Sequence, residues 1–193
     1  MRKVFRIFLF ILALLCFFPL PVLAADYTVF YRHPFSSNYI LPGTEPDVVI
    51  GDRILSASRG LELFASRGEY ESTTLAIYNP VDGQLLDNVR VSVDKLTSGV
   101  NRIGPDKIDI RVIKVLDVRR TYNKLSDGLY ESPEVLIPYT ADYLTAGEFD
   151  LPAGKTKQWW LTVKIDQSTP AGTYQGAVKI KPANADLKTI PIK

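Results

Sequence analysis

The sequence is poor in the residues that most chemistry needs. Its 193 residues contain one cysteine, one histidine, one methionine and two tryptophans. The cysteine is Cys16, so beyond residue 24 no disulfide can form and the fold must rest on its core alone. With His33 as the only histidine, neither a histidine-activated nucleophile nor a zinc centre has the ligands it requires. Glycines sit singly in turns rather than in a phosphate-cradling loop, and Asp106, Asp109 and Asp117 do not follow calcium-loop spacing. These shortages predict no cofactor and no metal.

What is present begins with a leader. Arg2, Lys3 and Arg6 precede an unbroken apolar run from Ile7 to Phe18, then Pro19, Pro21 and the small-residue end at Val22, Leu23 and Ala24. That order predicts a signal peptide over 1–24, cleaved at Ala24 or Ala25, and hence a secreted, periplasmic or cell-envelope location. The apolar run is shorter than the roughly 20 residues needed to cross a bilayer, so no stable membrane span is expected. Leu15 before Cys16 is too large for a lipoprotein site. Removing the three leader cations takes 23 basic residues to 20 against 21 acidic ones, a net of −1. A nucleic-acid partner then has no electrostatic support.

After residue 24 the apolar spacing is almost entirely period two. Val89, Val91 and Val93 alternate with Arg90, Ser92 and Asp94. Ile108, Ile110, Val112, Leu116 and Val118 share one parity and Ile113 and Val115 the other, which predicts a strand covered on both faces or bulged. TVFYR, TTLAIYN and EVLIP add short β-rich runs, and NPVDG, IGPD, PAG and PANAD supply turns between them. No window carries a helical period. The pattern predicts an all-β fold, an antiparallel β-sandwich of immunoglobulin-like or jelly-roll-like type, as a single domain. Residues 25–60 are expected to form a leading segment with one edge strand, its VVI run the apolar part, and 61–193 the sandwich.

In QWWLTVKID, Trp159, Leu161, Val163 and Ile165 take one face, with Trp160, Thr162 and Lys164 on the other. TPAGTYQGAVKI follows, with Tyr174, Val178 and Ile180 on one parity. The two runs read as a hairpin, Pro170 setting the first turn dihedral and Gly172 supplying a positive one.

The combination resembles the N-terminal β-sandwich module of secreted glycoside-hydrolase-like proteins related to glycoside hydrolase family 123. RGEYESTTLAIYNP (67–80), LLDNVRVSVDKL (85–96) and YESPEVLIP (130–138) resemble the preceding parts of that module, in matching order from Ala65 to Ile180. The resemblance implies a following (β/α) barrel, in which an acidic residue works with the substrate's acetamido group or a partner carboxylate. Nothing in these residues resembles that barrel. The implied role is a non-catalytic accessory module, packing on a C-terminal or partner catalytic domain. The alternative is a stand-alone envelope or adhesion domain.

Candidate site residues are few. Glu69 and Glu71 have the strand spacing that would put two acids on one face, as glycosidases require, but Arg67 is near enough to pair and both read as solvent-facing. His33 beside Pro34 reads as a surface residue. No catalytic residue is assigned. Trp160, with Tyr122 and Tyr130 in the polar 119–133 excursion, are the candidates for contact with an oligosaccharide, since sugar rings stack on exposed aromatics. The competing expectation for each is burial in the core or an interface.

Overall fold

Ten consecutive backbone pairings join two central strands, β3 (Tyr70–Asn79) and β9 (Lys155–Lys164), antiparallel from Tyr70 opposite Lys164 to Asn79 opposite Lys155. Around this ladder the computed structural model describes residues 26–34, 36–119, 129–138 and 149–193. The other strands are β1 (Thr28–Tyr31), β2 (Arg53–Ile54), β4 (Arg90–Val93), β5 (Leu96–Ser98), β6 (Asn101–Ile103), β7 (Ile108–Arg119), β8 (Leu129–Pro138), β10 (Gly176–Lys181) and β11 (Lys188–Ile192). One sheet runs β2-β1-β3-β9-β7-β8, a second runs β11-β10-β4, and β5 and β6 pair as a hairpin. Every strand pairing is antiparallel. The expected all-β sandwich is the fold.

The core lies between the two sheets. Val29, Leu75, Ile77, Val112, Trp159, Leu161 and Val163 come from the larger sheet, and Val91, Val93, Val178, Ile180, Ile190 and Ile192 from the smaller. Each set obeys the alternation read from the sequence, because period-two side chains leave one face of a strand for the core. Tyr27 threads its hydroxyl into the smaller sheet, donating within reach of the carbonyls of Ile180 at 3.0 Å and Asp186 at 2.9 Å. Burial pushes its phenol well above the ordinary tyrosine range.

Three local expectations are corrected. The stretch from Trp159 to Ile180 is no hairpin: β9 pairs with β3 and β7, whereas β10 pairs with β11 and β4 in the other sheet. Residues 165–175 are too many for a tight hairpin turn and carry the chain across the core's edge. Gly172 is not among the glycines with positive φ. It is needed for closeness instead: a Cβ there would lie 2.7 Å from the Ser98 hydroxyl. At Gly176 a Cβ would meet the Lys95 carbonyl oxygen and Leu96 Cδ2, each at 2.6 Å, so the crossover passes against β5 only as glycine. Finally, Val48–Ile50 is a 3₁₀ turn, with the Asp47 carboxylate accepting from Val49 N at 2.8 Å and Gly51 closing it at φ 96°. The edge strand of the leading segment is the short β2.

The long strand β7 is not itself bulged: its register with β8 shifts between Lys114 and Val115 because β8 carries an extra residue there, Glu134. Among the described residues β8 is an edge strand, with no strand paired on its outer side, which is where Pro133 and Pro138 are tolerated. Residues 1–25, with the expected leader, lie outside the described residues.

On the face of the larger sheet away from the core, the leading segment folds back. Phe30, Ile40, Ala76 and Tyr78 form a second, small apolar cluster there. The segment is tied down by Arg32, 4% exposed, which donates from Nε and Nη2 to the two oxygens of Asp52 at 2.7 Å each. Its Nη1 donates to the carbonyls of Asn38 and Tyr39 at 3.2 Å, and Asp52 also accepts from Asp47 N at 2.8 Å. A buried charge is tolerated when paired and hydrogen-bonded in this way.

Two substitutions test these assignments. Asp52→Ala leaves Arg32 buried without its carboxylate and is expected to cost about 3–5 kcal/mol in urea unfolding, where a loss no larger than the ~1 kcal/mol of a surface pair would contradict that role. Gly176→Ala is expected to cost about 1–3 kcal/mol through overpacking against β5, and a neutral result would mean the crossover has room to move.

Candidate functional site

The β3–β9 register sorts the two tryptophans. Trp159 lies opposite Leu75 and Val112 and is fully buried in the core. Trp160 lies opposite Thr74 and Arg111 on the other face and is half-buried. The indole Nε1 of Trp160 donates to Thr162 Oγ1 at 3.2 Å, and Thr162 Oγ1 is 2.9 Å from Ser72 Oγ. On its other side Arg111 Nε donates to Asp109 Oδ2 at 2.6 Å.

Beside Trp160 the refolded leading segment makes a wall. His33, Asn38 and Tyr39 from that segment, with Gln158 and Pro133 from β9 and β8, enclose with Trp160 a groove of about 130 Å³. The Arg32–Asp52 pair positions this wall, because Arg32 holds the carbonyls of residues 38 and 39. In the sequence His33 reads as a surface residue, and nothing there places it beside Trp160. Twenty positions separate Arg32 from Asp52, and no local motif marks the pairing. Next to the groove, burial raises the Tyr78 phenol above its ordinary value, with the neighbouring Glu45 carboxylate adding to the shift.

The other candidates go elsewhere. Tyr130 is on strand β8 rather than in a loop, opposite Val118 and 40% exposed. Val118 is seven residues beyond Arg111, about 23 Å at the rise of an extended strand. By register Tyr130 also has the opposite parity to Trp160. The polar run LYESP reads as loop, but its backbone pairs with Val115–Arg119 all the same. Tyr122 lies outside the described residues.

Glu69 and Glu71 do not act as a pair. Glu69 Oε2 accepts from Ser66 N at 2.8 Å and caps the turn before β3. Glu71 shares the inward parity of Thr73 and Leu75 and lines a separate, larger cleft of about 480 Å³ at the end of the sandwich, which Glu69 does not line. Among the described residues, no three His, Cys, Asp or Glu side chains are grouped to hold a metal, and no helix is long and apolar enough to cross a membrane.

Comparison with known proteins agrees with this architecture. No curated protein matches the sequence significantly. Among solved structures, a family 123 glycoside hydrolase from Clostridium perfringens, described in a study of glycolipid glycan hydrolysis, shares the fold at TM-score 0.65 and 14% identity. The match covers 87% of this chain and 26% of that one, so this chain spans about a quarter of that protein's length. The family described as the glycoside hydrolase 123 N-terminal domain matches residues 53–182, from β2 through β10. The chain belongs to the glycoside hydrolase 123 N-terminal domain family.

Proposed function

We propose that this chain is the non-catalytic N-terminal module of a secreted or periplasmic glycoside hydrolase, packing on its catalytic domain and contacting glycan at the Trp160 groove. The observation that carries the reading is the family membership over residues 53–182, which spans both sheets of the sandwich. Glu69 caps a turn and Glu71 lines a different cleft, so these two acids do not flank one bond, which supports a module that leaves bond cleavage to another domain. The leader over 1–24 supports export, through its order of cationic, apolar and small residues.

The glycan part of the proposal rests on the form of the Trp160 groove. At about 130 Å³ it is smaller than the roughly 300–1,000 Å³ of an enclosing ligand pocket, and it suits one sugar ring laid against an indole. Beside the indole the groove is lined by the side chains of Ser36, Asn38, Tyr39 and Gln158, groups that match sugar hydroxyls in hydrogen bonding.

Isothermal titration with soluble N-acetylhexosamine oligosaccharides tests the contact. The expected result is measurable heat that Trp160→Ala weakens about tenfold, the size of one stacking contact. No heat with any of these sugars would remove glycan contact and leave the packing role. Glu69→Gln is expected to leave glycosidase turnover of the intact protein unchanged. A large fall in turnover without loss of stability would put the acid in the chemistry and contradict the non-catalytic reading.

A further inference from the structure

The cleft of about 480 Å³ lies at the end of the sandwich away from the turn at Val81. Leu63 and Phe64 form one wall, and the crossover from Pro170 to Tyr174 forms the other. Ile103 and Ile165 add apolar surface, while Glu71 and Arg67 supply charge. Neither Glu71 nor Arg67 makes an ion pair among the described residues. Phe64 is 84% exposed at the rim.

The carboxyl end of β11 is fixed at the same rim. Lys193 lines the cleft, its amide donates to the Leu61 carbonyl at 3.1 Å, and its own carbonyl accepts from Leu63 N at 2.8 Å. Its ammonium group pairs with Glu62 at 3.0 Å. Any chain that extends from β11 therefore begins beside Phe64. The similar solved chain has about three quarters of its length outside the match, which is mass enough for a domain to cover this end.

We infer that this cleft is the seat of the catalytic domain, which enters it with an apolar side chain between Phe64 and Pro170 and with polar groups that meet Glu71 and Arg67. The inference rests on the accessory-module reading and adds the location, orientation and chemistry of the contact. Burying an exposed aromatic in a partly apolar cleft is how an interface gains most of its energy. Because Lys193 is held at the rim, a domain joined there would start within reach of the cleft, which lowers the entropy that docking must overcome.

Calorimetry of the intact protein tests it, with Phe64→Asp as the disrupting variant and Val81→Asp as the control. Val81 is also exposed, but it lies at the opposite end of β3, so its replacement does not touch the cleft. The expected result is one coupled unfolding transition in the unmodified protein and in Val81→Asp, splitting into two in Phe64→Asp. Coupled unfolding that Phe64→Asp leaves intact would overturn the seat and keep the packing. Independent transitions in the unmodified protein, or a mass showing no further domain, would overturn the packing and the seat together. A dimer dissociated by Phe64→Asp would show that a second copy of this chain occupies the cleft, and would also overturn the inference.

Discussion

The pairing of β3 with β9 is the constraint on which the rest of this structure depends. It runs ten residues without a shift of register. A slip of one residue would exchange the two faces, sending Trp160 into the core and Trp159 to the outside. With no disulfide available after Cys16, that choice of faces has to be secured by packing. Leu75 and Val112 flank Trp159 on its two neighbouring strands, and Leu161 and Val163 continue the same face. The hydroxyls of Ser72, Thr74 and Thr162 opposite would be costly in a core, so they oppose a slip from the other side.

The same ladder explains why the outer face has a groove rather than a flat solvated surface. Phe30, Ala76 and Tyr78 put apolar surface outward and require a cover, which the leading segment supplies through Ile40. Covering them buries Arg32, and Asp52 neutralises it while three backbone groups complete the hydrogen bonding. The wall beside Trp160 is therefore a consequence of covering the second apolar cluster. Stability and the candidate binding surface share one set of interactions.

Much of this was legible in the sequence because it depends on period two. The inward residues of β4 and β9 follow from alternation, whereas the mixed parity of β7 pointed to a bulge that lies in its partner β8. The family resemblance was legible through ordered motifs, RGEYE through TPAGTYQG, that span the two sheets. Alternation gives faces but not neighbours, so β9 and β10 looked like one hairpin when they belong to opposite sheets. Gly172 looked like a turn residue because contact with Ser98 leaves no local trace. Val48–Ile50 carries strand-like side chains, yet the Asp47 cap and Gly51 impose a turn. Tyr130 sits in a polar run whose pairing comes from its partner β7. The groove wall was hidden for the same reason, since Arg32 and Asp52 meet only through the fold.

The sandwich has two differently built surfaces: a small groove at Trp160 with polar side chains in its wall, and a larger, more apolar cleft where β11 ends. Both surfaces fit the proposed role of a module that serves a catalytic domain. The most direct measurement is the intact mass and peptide map of the native protein recovered from its cells. A module serving a catalytic domain predicts a single polypeptide well above the 21.6 kDa of these 193 residues, carrying a glycosidase domain beyond Lys193. A native protein no heavier than this chain, recovered with no catalytic partner, would contradict it.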